Sequence, residues 1–371
     1  MHRSGSKGNK RDGKKDRDSD DTSTKSVKSS KEPRRRKNKS SVDGAKSETT
    51  SKLERRRKPK AKGSTVASSP NQGDPFVRAL AQFCHQTVKL SPKHMAKEFT
   101  ETRQRMPKTL PKTAFLANPQ KNRYKDVYCL DEHRVKLTWP ADDHNDYIHA
   151  NYIPVDGSVR YICTQGPTEK TVNDFWRMMW QEKCKGILML TEVMEHNKKK
   201  CEQYWPLNEG DEEEYGQVRV KATKLLELEE NLLLTHLDVS ADGGNLQVQH
   251  ILWKNWPDRG VPKEYSSCLH MIKMITPIIP IVVHCSAGIG RTGTIVGLEM
   301  LICRLKKGEV CTITEIVAEM RQFRHGSVQT AEQFLYMHRV IMELAVAKHA
   351  YPKEDLKAFF DEYDLVVNPH G

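Results

Sequence analysis

Apolar residues first recur with a helical period at Phe76, Ala79, Leu80 and Phe83, and almost no large apolar side chain occurs in residues 1–72. Beyond that point two periods alternate. Runs of short, alternating or continuous apolar character predict strands at 147–153, 186–190, 232–237, 248–253 and 280–284. Apolar positions three and four apart predict helices at 172–183, 292–305, 314–323 and 331–348. The stretch Ala241-Asp242-Gly243-Gly244 has hairpin-turn chemistry between two of the strands. Strands interleaved with helices predict one α/β domain over 73–349, built on a highly twisted mixed β-sheet flanked by helices. Residues 350–371 alternate Leu356, Phe359, Phe360, Tyr363, Leu365 and Val366 with acids, the pattern of an amphipathic segment docked on that domain or of a partner motif.

Charge divides the chain at the same place as hydropathy. The whole sequence carries 61 Lys and Arg against 48 Asp and Glu; residues 1–72 account for 23 and 9 of these, leaving 38 and 39 in the remainder. The basic character therefore belongs to a Ser/Lys/Arg-rich tail, which lacks the apolar surface to offset chain entropy and is expected to be disordered. Two clusters, Arg34-Arg35-Arg36-Lys37 and Arg55-Arg56-Arg57-Lys58, are of the kind that contacts nuclear import receptors or polyanions, and phosphorylation of Ser40 and Ser41 would weaken such attraction. The apolar stretch before residue 284 is broken by Pro277 and Pro280, far short of the ~20 residues of a membrane span. Nine scattered cysteines suit a reducing compartment, so a cytoplasmic and in part nuclear monomer is expected.

The chemistry concentrates in residues 284–293, His-Cys-Ser-Ala-Gly-Ile-Gly-Arg-Thr-Gly. They connect a buried-looking strand to a helix, so the positive end of the helix and its unpaired amides face the loop. Cys285 lies inside this turn with Arg291 six residues on. Gly288 and Gly290 let the backbone amides of Ser286, Ala287, Gly288, Ile289 and Gly290 turn inward, and the planar fork of Arg291 holds two phosphoryl oxygens at once. That is a phosphate cradle around a thiol nucleophile. The other eight cysteines read as small buried hydrophobes. No paired metal-ligand spacing occurs, and no cofactor or metal is expected. His284 sits on the strand, where it orients loop carbonyls rather than acting as a base.

This loop resembles the signature of phosphotyrosine-specific, cysteine-based protein tyrosine phosphatases of the non-receptor type with a single catalytic domain, Ile289 standing where valine is more usual. Eight further stretches resemble that family in its order: KNRYKDV (121–127), DYIHANYI (146–153), YICTQGP (161–167), DFWRMMW (174–180), KKCEQYWP (199–206), WPDRGVP (256–262), MRQFRHG (320–326) and QTAEQ (329–333). The resemblance implies attack on phosphorus by Cys285, with Arg291 as phosphate clamp and a phosphocysteine intermediate. Asp258, on a Pro/Gly-flanked loop anchored by Trp256, would protonate the leaving phenol and later serve as base. By the same resemblance, Gln329 positions the hydrolytic water, Thr292 stabilises the departing thiolate, Glu195 orients Arg291 and Gln333 joins the substrate-binding residues. Tyr124 would stack on the substrate ring, Asp126 would accept from substrate amides, and Lys125 would meet acids flanking the phosphotyrosine.

The competing reading is a catalytically weak phosphotyrosine-binding module, or an adaptor with a polyanion-binding tail. Two departures from the family pattern stand out: His149 where asparagine is usual, expected to perturb a turn, and Glu192 where some relatives carry arginine. Arg321 and Arg324 alternate with Met320 and Phe323, which predicts a solvated face with core residues between. Gly326 is small where the rim of the pocket is expected.

Overall fold

The computed structural model describes residues 73–104, 110–254, 256–257 and 260–368. The basic segment with its two arginine clusters, Ser40 and Ser41, and the acid residue Asp258 lie outside the described residues.

The strands are β1 (Arg134–Lys136), β2 (Tyr147–Val155), β3 (Ser158–Thr164), β4 (Gly186–Met189), β5 (Met194–Glu195), β6 (Lys198–Lys199), β7 (Glu212–Tyr215), β8 (Val218–Glu229), β9 (Leu232–Ala241), β10 (Gly244–Trp253) and β11 (Ile281–His284). The helices are α1 (Pro75–Thr87), α2 (Pro92–Gln104), α3 (Thr113–Ala117), α4 (Val172–Gln181), α5 (Tyr265–Ile275), α6 (Arg291–Lys306), α7 (Ile313–Phe323), α8 (Ala331–Ala347) and α9 (Lys357–Val367). Nine strands form one sheet in the order β1-β2-β3-β11-β4-β10-β9-β8-β7, while β5 and β6 pair separately. The sheet is mixed: β11 runs parallel to both β3 and β4, β4 is parallel to β10, and the outer pairs are antiparallel.

Alternation along the central strands sends side chains into two cores. Ile281 and Val283 of β11 join a cluster with α1, α2 and α5 to α9, whereas Val282 faces the opposite cluster built around α4. Tyr161 and Cys163 against Ile162, and Leu188 against Ile187 and Met189, divide in the same way. Both faces of β11 are covered, which is why its sequence is continuously apolar rather than alternating with polar residues. A short parallel strand buried on both sides aims its carboxyl end at a crevice, and the segment 285–290 leaves from that end.

The helix ends follow local chemistry. Asp74 caps α1 by accepting from the Phe76 amide at 2.9 Å. Capping boxes start α7 (Thr312 with Glu315) and α8 (Thr330 with Gln333). The β9–β10 hairpin turns through Asp242 and Gly243, both at positive φ (47° and 72°), as its sequence predicts.

The segment after residue 349 is not a separate extension in packing terms. Leu356, Phe359, Phe360, Tyr363 and Val367 are buried in the main core, with Leu365 pointing outward at 74% exposure. His149 does not lie in a turn as expected; it is buried in the middle of β2, where Nε2 donates to the Val127 carbonyl at 2.9 Å. Among the described residues, no helix is long and apolar enough to cross a membrane.

Candidate active site

A cavity of about 590 Å³ opens over the end of β11, lined by Tyr124, Asp126, Glu195, Lys200, Trp256, Pro257, Gly260, Cys285, Ser286, Ala287, Gly290, Arg291, Gln329, Glu332 and Gln333, among others. Its floor is the loop 285–290, and the conformation of that loop follows from where its carbonyls go. His284 Nδ1 donates to the Cys285 carbonyl at 3.1 Å, and the Gly166 amide donates to Ser286 at 3.0 Å. Arg324 donates to Ala287 and Gly288 at 3.2 and 3.0 Å, Val328 and Gly293 amides donate to Ile289, and the Thr294 amide and hydroxyl donate to Gly290. All six carbonyls are held by groups outside the segment. The Gly288 amide instead points at Cys285 Sγ, 3.2 Å away. A loop with its oxygens bound from behind presents N–H groups to an anion in front.

Close approach shapes two glycine positions, of which Gly288 strictly requires glycine. Gly288 has φ +70°, and a Cβ there would lie 2.0 Å from the Thr164 carbonyl oxygen. At Gly290 a Cβ would meet Gln333 Nε2 at 2.9 Å and Gln329 Oε1 at 3.1 Å, so both glutamine amides rest directly on the loop.

Arg291 begins α6 and is fixed by Glu195 of β5: Nη1 lies 2.6 Å from Oε1 and Nη2 3.0 Å from Oε2. Nη1 also donates to the Leu190 carbonyl at 3.0 Å, and Nη2 makes a long 3.5 Å contact with the Pro257 carbonyl. The Thr191 hydroxyl and the Glu192 amide both donate to the Glu195 carboxylate, at 2.8 and 3.2 Å. Burial alone would raise the Glu195 pKa, but Arg291 and these donors outweigh it and hold the carboxyl below its ordinary value.

The wall of the slot comes from the 121–127 stretch. Arg123 ties it down by donating to the Gly166 and Pro167 carbonyls at 3.0 and 2.6 Å, while Gln165 Oε1 accepts from the Arg123 amide. The Ser286 hydroxyl donates to the Lys200 carbonyl at 2.9 Å, so the Tyr124 hydroxyl is the donor in its 2.8 Å bond to Ser286. Trp256, whose Nε1 reaches the Gly260 carbonyl at 3.4 Å, packs edge-on against Trp253 with centroids 5.4 Å apart.

The profile of the protein-tyrosine phosphatase family matches residues 118–343. The chain belongs to this family. Similar proteins are of both receptor and non-receptor type. Mouse (Mus musculus) receptor-type tyrosine-protein phosphatase eta is 35% identical over 65% of this chain and 20% of its own length. Human (Homo sapiens) tyrosine-protein phosphatase non-receptor type 12 is 37% identical over 61% and 30%, and the rat (Rattus norvegicus) non-receptor type 9 protein is 36% identical over 63% and 43%. The chain thus spans less than half the length of these curated relatives. Among solved structures, the catalytic domain of human protein tyrosine phosphatase non-receptor type 18 superposes with a TM-score of 0.67 at 31% identity, covering 72% of this chain and 99% of that one.

Within this tyrosine phosphatase domain, some residues expected at the site do not line the cavity. Gly288 contributes its amide, and Ile289 is buried, with the backbone of Gly326 beside its side chain. Lys125 is exposed, and Thr292 is fully buried with a hydroxyl that has no hydrogen-bond partner. Gln333 does line the cavity, but it spends its Oε1 on the Gln329 and Thr330 amides, at 2.8 and 3.3 Å, as the N3 member of the capping box. Gly326 has φ +76°, a backbone reason for glycine that is independent of any pocket rim.

The solvated face expected at Arg321 and Arg324 is not there. Arg324 is fully buried, with Nη1 also donating to Asn151 Oδ1 at 2.8 Å, and Arg321 donates to the Ser327 and Val328 carbonyls at 2.9 and 3.0 Å. Arg324 follows the last residue of α7, so its side chain reaches back under the nucleophile loop instead of extending the outer face. The sequence gives one signal for it, an arginine placed directly after a helix of core period. Tyr204 and His250, which meet behind the loop, were not singled out either; Tyr204 lies inside the 199–206 stretch, and His250 lies on β10 between Val248 and Leu252 of the same face. Among the described residues, no three His, Cys, Asp or Glu side chains are grouped as metal ligands would be.

Proposed function

We propose that the chain hydrolyses phosphotyrosine in proteins through a phosphocysteine intermediate. The observation that carries this reading is the loop in which all six carbonyls are bound from behind while an amide faces Cys285 Sγ, beside an arginine held by two bonds to one carboxylate. Such a cradle stabilises a dianionic phosphoryl group and the charge that develops on its equatorial oxygens. In the first step the Cys285 sulfur forms a bond to phosphorus as the bond to the phenolic oxygen breaks, and Asp258 gives its proton to that oxygen. Water, positioned by Gln329, then attacks phosphorus with Asp258 as base. The P–S bond breaks, inorganic phosphate leaves and the sulfur anion is restored. Thr292, whose buried hydroxyl has no partner at rest, is assigned to the departing sulfur.

Tyr124, anchored through Ser286, makes the slot deep enough for a phenyl ring, and the shorter phosphoserine would fall short of Cys285. Asp126, which lines the cavity, and the exposed Lys125 beside it in sequence are assigned to the peptide backbone and to acids flanking the phosphotyrosine. Nine cysteines without a disulfide support work in a reducing compartment such as the cytoplasm.

The test is hydrolysis of a phosphotyrosine peptide and its phosphoserine counterpart by the wild type, Cys285→Ser and Asp258→Ala. The wild type is expected to release phosphate from the first peptide only, Cys285→Ser to release none, and Asp258→Ala to fall by a factor of about 10² to 10⁴. Binding of the peptide by a wild type that releases no phosphate would instead establish a recognition module.

A further inference from the structure

Behind the nucleophile loop, His284, which holds the Cys285 carbonyl, is itself backed by two side chains that the mechanism above does not use. His284, at the end of β11, aims Nδ1 at the Cys285 carbonyl (3.1 Å), and its Nε2 lies 2.7 Å from the Tyr204 hydroxyl. The same hydroxyl lies 2.9 Å from Nε2 of His250 on β10. All three residues are buried, and Trp205 stacks on His250 with ring centroids 4.3 Å apart. Burial pushes the imidazole pKa down to about 4 for His284 and about 3 for His250, so at neutral pH each ring carries a single N–H.

With one hydrogen per ring, the direction of every bond is fixed. A carbonyl only accepts, so the N–H of His284 sits on Nδ1 and its Nε2 is a bare acceptor. The Tyr204 hydroxyl must donate to it, 2.7 Å away, in preference to the weakly accepting Met189 sulfur at 3.6 Å. That spends the only hydrogen of the hydroxyl, which is then an acceptor toward His250, and the N–H of His250 must sit on Nε2. Donation runs from His250 to Tyr204 to His284 to the Cys285 carbonyl.

We infer that His250 is a positioning residue for the nucleophile: as the terminal donor it keeps the Tyr204 proton on His284, and so keeps the Cys285 carbonyl drawn backward while the sulfur faces amides. Hydrogen bonds in series polarise one another, so the last bond is strengthened by the first. Other groups act on the same centre: Arg291 with Glu195 in front, the Gly288 amide, Arg123 on His284, and the Cys163 thiol on β3, which burial raises to about 12 and keeps neutral. None of them reaches the Tyr204 oxygen as a donor.

The inference rests on Cys285 being the nucleophile, but its first test does not. Long-range ¹H–¹⁵N correlation on the unmodified protein is expected to find His250 protonated at Nε2 and His284 at Nδ1; the other tautomer at either ring overturns the chain. The second test is the pH dependence of Cys285 alkylation by iodoacetamide. His250→Phe is expected to raise the midpoint by about half a unit to one unit, a roughly three- to tenfold loss of thiolate at fixed pH. His250→Gln restores an N–H donor and should return the midpoint to the wild-type value. Tyr204→Phe should shift it like His250→Phe, and the double variant no further than Tyr204→Phe alone. An unshifted midpoint in a folded His250→Phe, equal shifts in Phe and Gln variants, or additive shifts would reduce His250 to a packing residue. If His250→Phe does not fold, the wild-type tautomers and the Tyr204→Phe midpoint decide. A wild type that shows these tautomers yet releases no phosphate would refute the proposed function and leave the chain standing.

Discussion

Arg324 shows how much of a loop conformation one side chain can hold. Its guanidinium reaches the Gly288 carbonyl, the Ala287 carbonyl and Asn151 Oδ1, and it is fully buried. Asn151 faces the same side of β2 as His149, two residues earlier, because side chains alternate along a strand. Replacing the guanidinium leaves the Ala287 and Gly288 carbonyls without a donor and Asn151 Oδ1 with only the weak Cys129 thiol at 3.7 Å, so Arg324→Met is expected to destabilise the fold by about 3 kcal/mol. It should also lower kcat/KM at least about tenfold, since loop amides are aimed only while the carbonyls are held. Urea titration and steady-state hydrolysis of a phosphotyrosine peptide measure the two effects. Normal hydrolysis in a destabilised variant would show that the loop holds its shape without Arg324.

At the scale of elements, β11 and α6 were legible because each is a largely apolar run of fitting length, the two meet at the glycine-containing loop, and both sit in the core. β8 was not. Its alternation holds from Val218 to Ala222 and is then interrupted by register shifts at Ala222/Lys224 and Glu227/Glu229, with Leu225 between them and Leu228 within the second both exposed. Each bulge moves later side chains to the other face, which erases the period-2 signal. α2 was missed for a different reason: it is rich in charge, and its few core residues, Met95 and Phe99, are too sparse to set a period. α9 shows how an ambiguous amphipathic stretch becomes part of a domain. Phe360 and Tyr363 flank the guanidinium of Arg339 on α8, which lies 3.5 Å from the Phe360 ring centroid and pairs with Glu343 at 2.8 Å. Phe360→Ala is expected to cost about 3 to 5 kcal/mol, and removal of residues 352–371 more, with a fall in Tm read by calorimetry. A truncated chain as stable as the full one would mean that α9 merely rests on the surface.

For the whole molecule, four buried histidines dominate the acid side of stability. Burial holds His149 and His250 near pKa 3, and His284 and His338 near 4, against an ordinary value of 6.5, with carbonyl bonds opposing the shift in part. These groups stay neutral in the fold and are protonated in the unfolded chain below pH 6.5. Their contribution is therefore complete above that pH and is lost as pH falls toward 4, each adding up to about 1.4 kcal/mol per pH unit in that window. Glu195, held below its ordinary value, adds a further loss under about pH 4.5. The urea midpoint is expected to drop steeply between pH 6.5 and 5 and to be nearly flat from 7 to 8. A midpoint unchanged from pH 7 to 5 would show that these rings are charged in the fold.

The sequence by itself determined the helix that begins near Pro75, the strand–loop–helix around Cys285 and the identity of its neighbours, because these depend on local apolar pattern, glycine placement and short spacings. Tertiary structure alone decided what stands behind that loop. Arg324 after α7, Tyr204 between β6 and β7, and His250 on β10 come from separate parts of the chain and meet behind the loop only when the sheet order places β10, β4 and β11 side by side. No periodicity records a contact between residues tens of positions apart, and a buried polar side chain reads as surface until its partners across the fold are known.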